Sequence, residues 1–264
     1  MSGERHAPKK RFGQHFLHDP GTLRRIVQAL APRHGQRIVE IGPGQGALTL
    51  PLLDACGELT AIELDRDLIE PLEARAASHG ILHVIQADVL EVDLTALAAG
   101  GLLRLVGNLP YNVSSPILFH CMAHLDAISD MHFMLQKEVV ERMAATPGGK
   151  VYGRLSVMLQ ARCRVDPLFE VAPACFRPPP KVESAVVRLR PRPAGEVDIV
   201  DAELFGRLVK AGFAQRRKTL SNALSALADA ATIEAAGIDP RARAETVAVE
   251  GWCRLTHEVA SPAT

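Results

Sequence analysis

Short apolar runs alternate with longer amphipathic segments along the first two thirds of the chain. Five runs have the length and composition of buried strands: 37–41, 59–64, 81–86, 102–107 and 131–136. Segments 66–78 and 115–124, which lie between such runs, are compatible with helices. Strands that alternate with helices indicate βαβ units and a mostly parallel sheet covered on both faces. Two further strands, predicted near 162–170 and at 184–190, bring the sheet to seven strands.

The alternating pattern ends after the last predicted strand. The stretch "RPRPAGEVD" at 190–198 contains the proline and glycine that are typical of a linker. Beyond it, segments 201–229 and 241–260 are rich in alanine and leucine and are predicted to be helical. We therefore predict an α/β domain over residues 1–192, with a basic N-terminal arm, and a small all-helical domain over residues 193–264.

Composition is typical of a soluble globular protein from a reducing compartment. At 264 residues, the chain is long enough for one large core and a small second domain. Its five cysteines are odd in number and include no Cys-x-x-Cys pair, which argues against a disulfide framework or a zinc knuckle. No apolar run approaches the ~18 residues of a membrane span. The basic N-terminus lacks the apolar core of a signal peptide, so we expect a cytoplasmic protein.

Charge is neutral overall but uneven along the chain. Residues 137–192 contain 11 Lys and Arg against 5 Asp and Glu, a net charge of +6. A basic stretch of this kind is either an ordinary solvated face or a surface that binds a polyanion such as RNA. Charge alone does not decide between the two.

A glycine-rich loop follows the first predicted strand. The sequence "EIGPGQGALT" places Gly42, Gly44 and Gly46 where backbone amides can approach a ligand. Alone, the cluster is equally compatible with a tight turn. Glu63 follows Gly42 by 21 residues, at the end of the next strand, where an acidic residue binds a ribose diol. Asp88 ends the third strand, where an adenine amine would lie. Each acid alone could be a surface carboxylate, but three such features on consecutive strands indicate a nucleoside-type cofactor.

Asn108, Leu109, Pro110 and Tyr111 follow the fourth predicted strand and so reach the same edge of the sheet. An exocyclic adenine amine is a poor nucleophile because its lone pair is delocalised into the ring. If the Asn108 side-chain oxygen and the Leu109 carbonyl accept its N–H groups, the nitrogen can pyramidalise. Pro110 restricts Leu109, and Tyr111 can stack on the base. The alternative is a strand-terminating Asn-x-Pro turn. Opposite a glycine loop, the sequence favours a site of amine methylation.

Six motifs together resemble the ribosomal RNA adenine dimethyltransferases: "IVEIGPGQGALT", "IELDRD", "QADVLEVD", "VGNLPYN", "FRPPPKVESAVVRLRP" and "FAQRRKTLSNAL". They occur in the family's order over nearly the whole chain, and "NLPYN" with "FRPPPKV" is highly specific. "QRRKTLSNAL" is similar to the small-subunit (16S) branch. The resemblance implies an α/β, Rossmann-like class I S-adenosylmethionine-dependent methyltransferase with a mostly parallel seven-stranded sheet and a small helical domain.

The resemblance also implies an activity and its partners. Methyl groups would pass from S-adenosylmethionine to N6 of two adjacent adenosines in the 3′-terminal hairpin of small-subunit rRNA, and each adenosine would be dimethylated. The substrate would be rRNA within a pre-assembled small ribosomal subunit, which implies a role in subunit biogenesis. The enzyme would be a cytoplasmic monomer with no membrane partner.

The family's functional residues can be placed one by one on this chain. Donor contacts are implied for seven residues: His15, Leu17, Gly42, Gly44, Glu63, Asp88 and Asn108. The stretch from Asn108 to Tyr111 would hold the target adenine, and Phe176 would cover the other face of the base. His15 departs from the family, which often has asparagine there. Alternatively, Phe176 is a loop anchor packed on the core, although stiff prolines and cations flank it.

Arg216 and Lys218 are the predicted contacts to RNA phosphates. If "GFAQRRKTLSNAL" is helical throughout, both project away from the apolar stripe that carries Phe213. Alternatively, the helix breaks near Gln215 and frees Arg217.

Two other functional classes remain open on the residues alone. One is an RNA-binding factor that checks immature small subunits, with methylation secondary. The other is a DNA adenine methyltransferase, which the order of the motifs and the lack of a separate DNA-reading domain oppose. His120 and His124 have the i,i+4 spacing of a helical metal pair, but no third ligand accompanies them, so no metal site is predicted.

Overall fold

The structure, a computed structural model, describes residues 15–215 and 217–261. The chain divides into two compact units. The first contains the described residues up to Val140 together with Asp166–Pro191, and the second contains Glu141–Val165 together with the described residues from Arg192 onward. The predicted linker therefore coincides with the last change of unit. Residues 141–165 differ from the prediction of a single 1–192 domain, because their apolar side chains join the core of the second unit.

Nine strands and eleven α-helices form the described part of the chain. The strands are β1 (Phe16–Leu17), β2 (Arg37–Ile41), β3 (Glu58–Glu63), β4 (Ile81–Gln86), β5 (Leu103–Asn108), β6 (Ile128–Gln136), β7 (Cys163–Val171), β8 (Phe176–Arg177) and β9 (Ser184–Pro191). The helices are α1 (Pro20–Leu30), α2 (Thr49–Cys56), α3 (Ile69–Ala76), α4 (Leu94–Ala98), α5 (Ser114–Ala123), α6 (Lys137–Ala144), α7 (Arg154–Gln160), α8 (Ala202–Ala214), α9 (Leu220–Ala223), α10 (Ala230–Ala235) and α11 (Val249–Ala260). Five 3₁₀ turns accompany them: Arg66–Leu68, Val89–Glu91, Leu125–Ala127, Pro173–Cys175 and Ala244–Thr246.

Seven strands form one sheet in the order β4-β3-β2-β5-β6-β9-β7. The five strands from β4 to β6 in this order are mutually parallel, and β9 runs antiparallel to β6. The chain moves outward from β2 to β4 and then returns to the other side of β2 for β5. Ligands bind at such a switch point, beyond the carboxyl ends of the strands. The short strands β1 and β8 pair separately and antiparallel.

Helix α1 shows how local sequence fixes an element beside this sheet. Asp19 caps its start, because the carboxylate accepts hydrogen bonds from the Thr22 amide at 2.7 Å and from the Thr22 hydroxyl at 2.8 Å. Pro20 occupies the first helical position, where no amide donor is needed. The helix buries Ile26 and Leu30 in the core of the first unit.

Gly107 allows β5 to lie close to β2 at the switch point. A Cβ atom at this position would stand 2.5 Å from the carbonyl oxygen of Ile41, which is too close for any other residue without a backbone shift. The next residue, Asn108, is thereby held beside the loop that follows β2.

The second unit has its own apolar core, in which Tyr152, Phe205 and Trp252 are buried. The segment 201–229, predicted to be helical, is interrupted: α8 ends at Ala214 and a helix resumes only at Leu220. The break expected near Gln215 as the alternative is the one observed.

Candidate active site

A cavity of about 1480 Å³ opens at the carboxyl edge of the sheet in the first unit. Its walls come from the residues that end or follow β2, β3, β4 and β5, together with β1 and the start of α1. All seven predicted donor contacts line the cavity: His15, Leu17, Gly42, Gly44, Glu63, Asp88 and Asn108. The predicted edge of the sheet is thus where the structure brings these residues together.

The glycine loop forms one wall of the cavity. Gly42 has φ of 67°, and a Cβ atom there would meet nothing within 4 Å, so the space in front of its backbone is open cavity. A ligand can therefore approach the main chain at this point without a side chain in the way. The amide of Gly44 donates to Oε2 of Glu63 at 3.0 Å.

Glu63 is buried at the end of β3 and is held by two backbone amides. Its Oε1 atom accepts from the Asp65 amide at 2.8 Å, and its Oε2 atom accepts from Gly44. Burial raises the pKa of this carboxyl, while the two amide donors lower it. Because a carboxylate offers about four acceptor positions, Glu63 retains capacity for a pair of ribose hydroxyls.

Asp88 follows β4 and caps the 3₁₀ turn that starts at Val89. Its Oδ1 atom accepts from the amide of Leu90 at 3.0 Å, which fixes the carboxylate at the rim of the cavity. A hydrogen-bond acceptor in this position suits an exocyclic adenine amine.

The Asn108 side chain is oriented by the segment before β1. Its Nδ2 atom donates to the backbone carbonyl of His15 at 2.9 Å. Since a carbonyl can only accept, Nδ2 must face His15, and Oδ1 is the atom left for another donor. The amide of Leu109 donates to Met134 O at 3.1 Å, whereas its carbonyl accepts no hydrogen bond from the described residues. Both residues line the cavity, so two acceptors without a partner among the described residues are available there.

Tyr111 is fixed at both ends. Its hydroxyl shares a hydrogen bond of 2.7 Å with Ser184 Oγ, and burial raises the pKa of the phenol. The His15 ring stacks on it with centroids 5.7 Å apart and an interplanar angle of 26°. His15 Nδ1 in turn donates to the carbonyl of Pro178 at 2.7 Å. His15 therefore connects Tyr111 to the loop that follows β8.

The chain matches the model of one protein family, described as ribosomal RNA adenine dimethylase, over residues 5–261. A ribosomal RNA small subunit methyltransferase A from Xanthomonas campestris pv. campestris is 63% identical over 94% of this chain and 95% of that protein. This chain belongs to the ribosomal RNA adenine dimethylase family. The resemblance drawn from the motifs is thereby confirmed, as is the prediction of an rRNA-modifying methyltransferase.

Solved structures agree with the family. A dimethyladenosine transferase from Plasmodium falciparum superposes with a TM-score of 0.81 at 25% identity, covering 92% of this chain and 97% of the other. The 23S rRNA methyltransferase ErmE gives a TM-score of 0.73 at 26% identity, covering 93% and 100%. These neighbours and the sheet order confirm the predicted class I methyltransferase fold.

Phe176, the predicted stacking platform, is not at the cavity of this family member. Its side chain is only 2% exposed and belongs to the apolar core of the first unit with Leu17 and Val186. The pairing of Leu17 with Phe176 in the β1–β8 ribbon places β1 beside the ring. In the structure the loop-anchor alternative holds, and the neighbours Arg177 and Pro178 line the cavity instead.

The two predicted phosphate contacts have different outcomes. Arg216 lies outside the described residues. Lys218 is exposed on the second unit, in the turn after α8 that is closed by a hydrogen bond of 2.9 Å from its amide to Gln215 O. It is accessible to a partner, as a phosphate contact requires.

Two buried polar residues at the cavity escaped the sequence predictions. Glu40, in β2, has an Oε2 atom with no hydrogen-bond partner among the described residues. His132, in β6, has no hydrogen bond to either ring nitrogen from the described residues, and its Nδ1 atom lies 3.9 Å from Asp130 Oδ1. Burial raises the pKa of Glu40 to about 7 and lowers that of His132 to about 4. The available signal was the same for both residues, a polar side chain inside a predicted buried strand: Glu40 in "RIVEI" and His132 in "MHFMLQ".

The part of the chain that the structure describes contains no group of three His, Cys, Asp or Glu arranged to hold a metal ion. His120 Nε2 contacts the Val92 carbonyl at 2.9 Å, and His124 Nδ1 contacts the Thr95 hydroxyl at 2.9 Å. Within the same residues, none of the helices combines the length and apolar character needed to cross a bilayer.

Proposed function

We propose that this protein transfers methyl groups from S-adenosylmethionine to N6 of two adjacent adenosines in the 3′-terminal hairpin of small-subunit rRNA, and dimethylates each. One observation carries the proposal. Asn108 and Leu109 are adjacent residues that line the same cavity as the glycine loop, and neither Asn108 Oδ1 nor the Leu109 carbonyl accepts a hydrogen bond from the described residues. An amine with two N–H groups fits between such acceptors.

The residues of the cavity fit the donor. Open space before the Gly42 backbone admits a charged amino-acid tail, and Glu63 retains acceptor capacity for a ribose. Asp88 offers an acceptor for adenine, and His15 and Leu17 close the cavity from the β1 side. When bound, S-adenosylmethionine supplies a methyl group on a sulfonium, which is a strong electrophile.

The chain's own part in the reaction is to orient the adenine amine. In the first transfer, Asn108 Oδ1 and the Leu109 carbonyl accept the two N–H groups, so that the nitrogen lone pair leaves the plane of the ring and points toward the donor. The nitrogen loses one N–H proton to solvent as it gains the methyl group, and its remaining N–H keeps one of the two acceptors for the second transfer. Pro110 restricts the backbone of Leu109. Tyr111, anchored through Ser184, offers a stacking surface for the base. The reaction needs alignment more than a strong base, because the donor carries the positive charge.

Small-subunit rRNA is the proposed substrate because relatives at 62–63% identity bear the name ribosomal RNA small subunit methyltransferase A. We infer that a monomer acts in the cytoplasm on rRNA within a pre-assembled subunit and so takes part in subunit biogenesis. The second unit is proposed to bind the RNA through the exposed Lys218 and the predicted contact Arg216. An assembly-factor role is compatible with this activity.

The test compares three substrates: free rRNA, small subunits isolated from cells that lack the enzyme, and duplex DNA. Radiolabelled S-adenosylmethionine and analysis of the nucleosides measure the transfer. We expect N6,N6-dimethyladenosine from the subunits and far less product from free rRNA. Methylation of duplex DNA, or of a base other than adenine, would refute the proposal. Binding to subunits without any transfer would leave only the assembly-factor role.

A further inference from the structure

Glu40 is a buried carboxyl at the floor of the cavity that the mechanism above does not use. Its side chain is 2% exposed, and its Oε2 atom lacks a hydrogen-bond partner among the described residues. Burying an ionisable group without a partner is costly, so such groups are retained mainly where a ligand or a function needs them. The carboxyl contributes to the cavity lining beneath the glycine loop.

The sheet register places Glu40 close to the reacting centre. Glu40 pairs with Val106 across β2 and β5, and Asn108 follows Val106 by two residues on the same face. Strand spacing and rise put the Cα atoms of Glu40 and Asn108 about 8 Å apart. A methyl donor that reacts with an amine held by Asn108 must therefore carry its sulfonium within about a nanometre of this carboxyl, across a weakly polarisable core.

Among the described residues, the charged group that perturbs Glu40 is the like-charged Glu63, and no cation does so. Burial raises the pKa of Glu40 to about 7. Thr49 on α2 faces the carboxyl and partly offsets that rise, although its Oγ1 atom makes no hydrogen bond among the described residues, and the charge of Glu63 on β3 adds a smaller increase. Val106, the partner of Glu40 on β5, contributes apolar surface. The carboxyl is thus balanced between its two protonation states near neutral pH.

His132 is the next ionisable group in the same row, on β6, where it pairs with Val106 from the other side. Burial lowers the pKa of its imidazole to about 4, so the ring is neutral at pH 7 and supplies no positive charge to Glu40. A bound ligand can supply the positive charge that the described neighbours of Glu40 do not.

We propose that Glu40 determines the preference of the cavity for the cationic methyl donor over its neutral thioether product, as a carboxylate that is ionised while the sulfonium is bound and takes up a proton from solvent once the methyl group has left. The inference rests on the proposed use of S-adenosylmethionine. It adds a residue that helps the product to leave, a step that must recur four times if two adenosines are each dimethylated.

Isothermal titration calorimetry of S-adenosylmethionine and S-adenosylhomocysteine, each titrated into the full chain from pH 6 to pH 8, tests the proposal. Titrations in two buffers of different ionisation enthalpy count the protons exchanged. We expect the sulfonium donor to release a fraction of a proton at pH 7, and the thioether to release less. The affinity ratio of donor to product should rise about tenfold between pH 6 and pH 8, because one pKa unit corresponds to a tenfold change.

Glu40→Gln, which keeps the shape and removes the charge, should make the ratio independent of pH and abolish the proton release. Glu58→Gln is the matched control, since Glu58 begins the neighbouring strand β3 and its side chain is 66% exposed; it should behave as wild type. A pH-independent ratio in the wild-type protein overturns the inference even if Glu40→Gln does not fold. Failure of both ligands to bind would instead refute the proposed cofactor.

Discussion

The donor side and the adenine side of the cavity are built differently. On the donor side, Gly42, Glu63 and Asp88 each follow a parallel strand, so the sheet itself sets their spacing. On the adenine side, Tyr111 depends on Ser184 and on the His15 ring, which come from segments far apart in the chain.

This difference between the two sides shows which contacts can be predicted from the local sequence. A residue at the end of a parallel strand reaches the edge of the sheet whatever its neighbours are. A residue in a loop reaches its position only through a partner, as His15 does through the Pro178 carbonyl. The donor side should therefore tolerate changes in loops, whereas the adenine side should depend on packing between distant segments.

The largest expected effect is on stability, at Phe176. Phe176→Ala should lower the free energy of unfolding by about 3–5 kcal/mol, because it removes a fully buried aromatic ring. Denaturant unfolding measures the loss. Phe169→Ala is the control, since this ring is only partly buried, and its loss should be clearly smaller. Wild-type stability together with lost methyl transfer would restore Phe176 as a stacking platform.

The next effect is a pH dependence of stability from His132. The folded pKa of about 4 lies below the ordinary value of 6.5, so below pH 6.5 the unfolded state binds the proton more readily. Stability that is fully present above pH 6.5 should fall by about 3 kcal/mol as the pH drops to 4.

His132→Leu should be less sensitive to acid than wild type over this range, as measured by urea unfolding at each pH. His83→Leu serves as the control, because the His83 side chain is 57% exposed. Parallel pH profiles for wild type and His132→Leu would show that His132 is not the group responsible.

A smaller change is expected on the donor side, at Glu63. Glu63→Ala should weaken the binding of S-adenosylmethionine by at least about tenfold, since charge-assisted hydrogen bonds contribute about 1.5–3 kcal/mol. Affinity for the rRNA substrate should change little. Calorimetry measures the donor, and filter binding measures the RNA. Unchanged donor affinity would place the ribose elsewhere in the cavity.

The smallest effect concerns one cation of the second unit. Lys218→Ala should reduce the slope of log affinity for rRNA against log salt by about 0.7, the contribution of one phosphate in single-stranded RNA. Lys210→Ala removes the same charge from the exposed side of α8 and is the comparison variant. Equal slopes for Lys218→Ala and wild type would assign the RNA contact to the basic residues of 137–192.

The same contrast between strand ends and loops explains which parts of the fold and of the site can be predicted from the sequence. The strands at 37–41 and 81–86 match β2 and β4 residue for residue, because apolar runs and their ends are local properties. The burial of Phe176 depends on its pairing with Leu17, more than 150 residues earlier in the chain, which no local pattern encodes. The unpaired nitrogens of His132 likewise result from tertiary packing.

The break in the helix at Gln215 has a similar origin. The apolar stripe continues through Leu220 and Leu224, and both residues are buried in the core of the second unit. After the turn, the amide of Leu220 donates to the carbonyl of Ala242 at 2.8 Å, a partner that the periodicity of the sequence does not reveal.

Asn108 is predicted to contact both the donor and the adenine, so it gives the most direct test of the proposed reaction. Single-turnover methyl transfer to small subunits should be about 100-fold slower or more in Asn108→Ala, which is the scale for removing a preorganised polar group at a reacting centre. Asn112→Ala removes the same carboxamide from the same cavity and should cost less than about tenfold. Donor affinity, measured in parallel, should change less than the rate does. A near-normal rate in Asn108→Ala would contradict amine orientation by Asn108 as the basis of methyl transfer.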